Sequence, residues 1–308
     1  MPARSWAPEF VLLAAVWGSS YLFMRLGAAQ FGPLPTAGLR VAIAALVLMP
    51  LLFLRSNREA LRGRWLLAMG LGVLNNALPF ALFAYAVLHL PTGVISILNA
   101  TTPLFGALVA WAWLGERPGR LRLCGLAIGF TGVALLATRG LHLETGIAGW
   151  FVLACLGASC SYGWAANYAR RFLGGVRPVA SAAGSLLGAA LVLAGPTVVY
   201  WPAQAPGWSA WAAVIALGTV CTALAYFLYY RIIQRAGPGR AVAVTFLAPV
   251  FTLAYGAALL GEVVTPGMVA CGAVILAGTL LASGLVGARK LAAATAAATP
   301  TGATTPPR

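Results

Sequence analysis

Ten runs of about twenty apolar residues, joined by short loops, leave this chain no route to a fold in water. They fall at 9–29, 36–54, 65–88, 92–114, 121–138, 147–169, 178–200, 208–230, 238–261 and 266–287. Each is long enough to cross a bilayer as a helix. Only 8% of the 308 residues are charged, against roughly 25% in a soluble domain, so no hydrated surface can be built. The expected fold class is an all-α polytopic membrane protein with ten transmembrane helices. A soluble enzyme, a disordered chain and a disulfide scaffold are excluded. Residues 288–308, rich in Ala, Thr and Pro, read as a disordered cytoplasmic tail.

The net charge of +15 does not point to nucleic acid, because the basic residues cluster between apolar runs. Counting loops alternately, 17 of the 20 basic residues fall on one side, leaving Arg25, Arg40 and Arg139 on the other. The positive-inside rule then places both termini in the cytoplasm. The first run passes through Trp17 and Tyr21 without a small-residue cleavage site, and reads as a retained span. Five cysteines lie in apolar runs without metal spacing, and no phosphate-binding loop motif is present, so no cofactor or metal is expected.

Residues 100–116, ATTPLFGALVAWAWLGE, reappear as FLAPVFTLAYGAALLGE at 246–262. Pro103 falls on Pro249, Phe105 on Phe251, and Gly115-Glu116 on Gly261-Glu262, while Trp17 to Arg25 echo in Tyr162 to Arg170. The chain therefore divides into 1–145 and 146–287, each with five spans. Five is odd, so the second half must enter the membrane upside down. Inverted repeats with a substrate site near the midplane are a construction of secondary transporters.

Three groups of residues carry a family resemblance: Trp17-Gly18-Ser19-Ser20, Pro33 with Arg40, and the doubled Pro103…Leu114-Gly115-Glu116 and Pro249…Leu260-Gly261-Glu262. On these, residues 9–287 resemble the drug/metabolite transporter superfamily in its ten-span EamA-type branch. The resemblance implies a ten-helix bundle exporting amino acids or related metabolites, nearest to the aromatic amino-acid exporters.

Polar residues inside spans usually face a cavity or a partner helix. Here they fall on helix faces, and the expected substrate-binding set is Trp17, Ser20, Tyr21, Asn75, Pro79, Phe83, Asn99, Pro103, Trp164, Asn167, Tyr168, Thr222, Tyr226, Thr245 and Pro249. Proline removes the hydrogen bond to the carbonyl four residues earlier, so Pro79, Pro103 and Pro249 free those of Asn75, Asn99 and Thr245. These offer acceptors to a substrate ammonium, or else mark ordinary kinks whose asparagines link helices. Trp17, Tyr85, Trp164, Tyr226, Tyr229 and Tyr230 are candidates for an aromatic box. Arg40, about four residues into its run, either attracts a carboxylate or snorkels to the interface, the second being preferred. Glu116 and Glu262 are expected to close helix ends, bonding to loops or loop arginines. Gly125-xxx-Gly129 and Gly184-xxx-Gly188 are expected to join helices within a monomer.

No Asp, Glu, Lys or His falls at a predicted midplane, so facilitated diffusion or exchange is expected in place of proton pumping. No nucleophile–base pair or paired carboxylates appear, which argues against an enzyme. The expected partners are a small-molecule substrate and the bilayer. The leading reading is an amino-acid exporter in which the inverted halves rock about a central site; the alternative is a multidrug or quaternary-cation exporter of the same fold.

Overall fold

A computed structural model describes residues 6–140 and 147–283, and among them there are helices and connecting turns but no strand. The boundary at 145/146, the tail 288–308, Arg4, His142, Glu144, Arg289, Lys290 and Arg308 lie outside the described residues, as does the Arg139 side chain. Ten helical rods follow the ten apolar runs. They are α1 (Ala7–Phe31), α2 (Pro33–Phe53), α3 (Trp65–Ala86), α4 (Thr92–Leu114), α5 (Arg120–Thr138), α6 (Ile147–Phe172), α7 (Pro178–Val199), α8 (Trp208–Ala236), α9 (Arg240–Leu260) and α10 (Pro266–Ala282). Eight of them are long and apolar enough to span a bilayer by length and composition; α10 is a shorter apolar helix, and α6 runs for 26 residues.

Three rods are interrupted near their middles. In α3, residues Val73–Ala77 are π-wound, and in α8 so are Thr219–Leu224, at the equivalent place in the repeat. In α3 the cause is visible in the sequence. Pro79 has no N–H for the Asn75 carbonyl, and a π-turn lets that carbonyl look one residue further. The α8 segment has no such proline. The α4 rod breaks at Ala100 and Thr101, just before Pro103.

The packing is two-fold by repeat, and its main pairings cross between halves. The α1 rod packs on α8 and α9, as α6 packs on α3 and α4. The α2 rod packs on α8, as α7 packs on α3; α2 with α7, α4 with α9 and α5 with α10 are pairs of equivalents. Glycine permits the closest crossings. A Cβ on Gly18 would lie 2.6 Å from the Cβ of Phe251, and one on Gly163 would lie 2.6 Å from the Gly106 nitrogen beside Phe105. Gly125 and Gly129 press against Gly278 of α10, and Gly184 and Gly188 against Ala68 and Met69 of α3, so both small-residue pairs join helices within the chain.

The ends of the rods prove the inversion. The α4 and α9 helices both finish on a left-handed glycine, Gly115 (φ +72°) and Gly261 (φ +66°), a conformation that favours a residue without Cβ. The N–H groups of Gly115 and Glu116 then donate to the Ala110 carbonyl, and those of Gly261 and Glu262 to that of Gly256. Glu262 sits against Thr92, the first residue of α4, and Arg25 of α1. Glu116, at the other end of α4, pairs with Arg170 of α6. Arg25 of α1 and its repeat equivalent Arg170 of α6 are therefore at opposite ends of α4.

Candidate functional site

The middle of the bundle holds two versions of one arrangement, each built from both halves. In the first, Arg40 of α2 donates through Nε to Thr222 Oγ1 of α8 at 3.0 Å, and its guanidinium lies 3.6 Å over the Phe80 ring of α3. In the second, Asn76 of α3 donates to Ser185 Oγ of α7 at 3.2 Å, and accepts from the Tyr226 hydroxyl of α8 at 2.9 Å. An offset of 145 or 146 exchanges Arg40 with Ser185, Asn76 with Thr222, and Phe80 with Tyr226. Two aromatic contacts obey the same exchange: Trp17 against Tyr229 at 5.5 Å, and Tyr162 against Phe83 at 6.2 Å.

Depth follows from the rods. Thr222 is the middle residue of α8, so the Arg40 head is at mid-bundle. The helix carrying Arg40 starts at Pro33, placing the residue roughly 10 Å along it. Its relative exposure is 5%. The expectation that Arg40 snorkels to the interface is therefore wrong: its stem runs inward and its head is buried. Burying a guanidinium costs several kcal/mol, which the Thr222 bond and the Phe80 face offset in part.

Asn75 donates to the Tyr226 hydroxyl at 3.0 Å, so that oxygen bridges both asparagines. Asn75 and Tyr226 are only half-buried. A polar amide and a phenol at this depth belong beside a water-filled space, not lipid. Ser161 of α6 donates to the Leu74 carbonyl at 2.7 Å and so supports the π-wound segment. Tyr21 meets Phe83 edge-on at 6.0 Å, and Asn99 stands beside the Tyr21 hydroxyl. Ser20, Phe83 and Pro79 are buried in α1 and α3.

Of the other expected site residues, most lie apart from this centre. The carbonyl of Asn99 is not free, because Thr102 Oγ1 donates to it at 2.8 Å; Pro103 lies in the first turn of the second segment of α4, which begins at Thr102. Thr245 Oγ1 donates to the Val242 carbonyl at the start of α9, and Pro249 is buried one turn on. Trp164 is 43% exposed and stacks on Trp113 towards the Glu116 end, where Arg171 covers Trp113. Tyr168 packs on Phe172, and Asn167 donates to the carbonyls of Gly106 and Gly163, tying α6 to α4. Tyr85 is 41% exposed and joins no aromatic group of the centre. Missing from the expected set are Asn76, Phe80, Tyr162 and Ser185. Their signal was available: each is the repeat partner of a residue already singled out or of its neighbour.

The two ends carry equivalent ion pairs with unequal support. Arg170 holds both Glu116 oxygens, at 2.7 and 3.3 Å, with both side chains about half exposed. Arg25 holds Glu262 at 2.8 Å, and Thr92 adds its N–H to both oxygens and its hydroxyl to one, leaving Glu262 12% exposed. The repeat equivalent of Thr92 is Pro238, which has neither N–H nor hydroxyl.

The sequence of each half matches the same family model, that of the EamA-like transporter family, over residues 5–138 and 149–284. The chain belongs to this family. It is 28% identical over 281 residues to YedA of Escherichia coli strain K12, described as an uncharacterized inner membrane transporter, with 85% of this chain and 86% of YedA covered. It is 28% identical to a probable terminal-alkyne amino-acid exporter of Streptantibioticus cattleyicolor, with 87% and 89% covered, and 26% identical to a probable amino-acid metabolite efflux pump of Salmonella typhimurium, with 86% and 89% covered. A crystal structure 22% identical in sequence superposes with a TM-score of 0.63, over 93% of this chain and 98% of that one, and shares the fold. The protein is thus a multi-pass EamA-type membrane transporter of a small molecule, not an enzyme.

Proposed function

We propose that this EamA-type transporter exports amino acids with apolar or aromatic side chains, and related metabolites, across the bacterial inner membrane. The observation that carries this reading is the centre itself, where Asn75, Asn76, Thr222 and Tyr226 supply neutral polar groups beside Trp17, Tyr21, Phe83 and Tyr162. That lining suits a zwitterion with an apolar side chain. Two relatives named for amino-acid export support it. The chain acts as a monomer with both termini cytoplasmic and does not bind nucleic acid; its repeats are 1–145 and 146–287.

Access alternates by movement of two mixed bundles. Because α1 packs on α8 and α9, and α6 on α3 and α4, the moving units contain rods from both halves. The Glu262–Thr92 contacts join the two units at one face and must part when that face opens. The four described glutamates are all ion-paired with arginines, Glu9 with Arg231 and Arg235, and Glu59 with Arg55, and none lies at the level of Arg40. This supports facilitated diffusion or exchange as the mode of transport.

Counterflow of radiolabelled amino acids into proteoliposomes of the purified full-length protein tests this reading. Uptake of phenylalanine or leucine without an ion gradient is expected. Accumulation that follows an imposed pH gradient would overturn the facilitator mechanism. Tyr226 stacked on Tyr230, with Tyr229 edge-on to Tyr230, favours a second reading, a quaternary-cation exporter; uptake of a dication with no amino-acid uptake would establish it instead.

A further inference from the structure

We infer that Arg40 is the receptor for an anionic group on the substrate, so that the transported molecule carries a carboxylate and cations lacking one are rejected. The inference rests on the proposed amino-acid reading and names the group that reading must contain.

Three observations carry it. First, among the described residues Arg40 is a buried cation without a counter-ion: each described glutamate is engaged by other arginines, and the described ionisable groups around Arg40 include Tyr162, Cys221, Tyr21 and Tyr226. Second, its strongest donors are idle. Nε is bonded to Thr222 and one guanidinium face lies on Phe80, but among the described residues neither terminal nitrogen donates to a protein group. Among the described residues the fully sealed, unpartnered side-chain atoms are Glu9 Oε2, Thr36 Oγ1 and Thr197 Oγ1; the terminal nitrogens of Arg40 are not among them, so that edge keeps a small opening inside the bundle. A guanidinium edge fits the two oxygens of a carboxylate.

Third, the repeat supplies a control for what the position needs structurally. Ser185 occupies the equivalent place in α7, is equally buried, and accepts from Asn76 where Arg40 donates to Thr222. A short neutral hydroxyl therefore satisfies the packing between α2 or α7 and the π-wound rod. The charge, the stacked plane and the free edge at Arg40 are additions that packing does not require. One guanidinium matches one carboxylate; a phosphate group would call for a second inward cation, and none is bonded into this centre.

The test is competition against phenylalanine counterflow in proteoliposomes of the full-length protein, using phenylpropionate, which keeps only the carboxylate, and phenylalaninamide, which keeps only the ammonium. Thermal stabilisation of the detergent-solubilised protein by each compound gives a second readout independent of transport. Phenylpropionate is expected to compete and stabilise, and phenylalaninamide to be about tenfold weaker or worse. In Arg40→Gln that discrimination disappears, and Arg40→Lys restores part of it. If phenylalaninamide matches phenylalanine within about twofold in the unaltered protein, the inference is overturned, whatever the variants do. Unchanged discrimination in a folded Arg40→Gln overturns it too. If carboxylates stabilise the protein while no amino acid is transported, the amino-acid reading falls and the anion receptor stands.

Discussion

Glu116 and Glu262 close equivalent helices, so the same substitution at both isolates what their surroundings add. In Glu262→Gln one oxygen remains to accept from Arg25 or Thr92, but every bond loses its charge assistance. A hydrogen bond to a charged group contributes about 1.5–3 kcal/mol against about 0.5–1.5 for a neutral one. Three donor groups converge there, the Arg25 guanidinium and the Thr92 N–H and hydroxyl, in a site only 12% exposed. Losing roughly 1 kcal/mol at each, discounted because Arg25 is itself one-third exposed, predicts about 2–3 kcal/mol of destabilisation. Glu116→Gln breaks a pair with both members about half exposed, which contributes no more than about 1 kcal/mol. Reversible unfolding in mixed detergent and SDS micelles measures both, and the expected gap is about 2 kcal/mol. Equal losses, or a larger one at Glu116, would refute the argument that Thr92 makes the Glu262 end the firmer one. A conformational readout follows from the same contacts. Cys221 is buried at the centre beside Ser19. On a background without the other cysteines, Glu262→Gln should speed its modification by a membrane-impermeant thiol reagent added on the Glu262 face, and Glu116→Gln should not.

Other outcomes follow from single contacts. Tyr226→Phe removes the oxygen shared by Asn75 and Asn76 and leaves a buried Asn76 acceptor unpaired; a loss of about 1–3 kcal/mol in the same unfolding assay and a raised KM in counterflow are expected. Gly18→Ala and Gly163→Ala each place a methyl 2.6 Å from a neighbouring atom, and should each cost about 1–3 kcal/mol, with Gly163→Ala the worse because the atom it meets is backbone. Trp17→Ala should raise the KM for aromatic substrates, whereas Trp164→Ala, whose ring stacks on Trp113 towards the Glu116 end, should leave it within about twofold.

The rods and their repeat were readable in the sequence because both depend on local pattern. A twenty-residue apolar run marks a span whatever it packs against, and Pro…Gly-Glu recurs in letters at 103–116 and 249–262. The centre was readable in part. Trp17, Tyr21, Asn75, Phe83, Thr222 and Tyr226 announce themselves as polar or aromatic residues at helical spacing inside spans. What fixes their roles is long-range: Arg40 meets Thr222 across 182 positions, and Asn76 meets Ser185 across 109. Helical spacing also cannot separate a lining residue from one that joins two rods: Asn167 has the spacing of the lining, yet its amide binds the carbonyls of Gly106 and Gly163. The π-wound turn of α8 had no proline to betray it. Its place was nonetheless implied, since it sits one repeat after the turn that Pro79 explains.

A transporter made of two inverted copies faces a difficulty that its exceptions to symmetry resolve. If the repeats were identical, the inward-open and outward-open forms would be equal in energy, and a substrate would bind equally well in either of two orientations. Both consequences are undone here by single residues. Thr92 against Pro238 gives one end of the bundle donors that the other end lacks, so the two forms differ in stability by the contacts Glu262 makes and Glu116 does not. Arg40 against Ser185 places one cation at mid-bundle where symmetry would demand two or none, and so polarises the centre from α2 towards α7. A zwitterion then has one favoured orientation, carboxylate towards Arg40, in both forms. Converting Ser185 to Arg would restore the symmetry chemically, and the same reasoning makes the outcome specific. A second unpaired guanidinium would lie beside Asn76, phenylalanine transport would fall, and dicarboxylates would begin to compete in counterflow. Unaltered selectivity in a folded Ser185→Arg would show that the two positions are not equivalent in function, and that the repeat relation stops at packing.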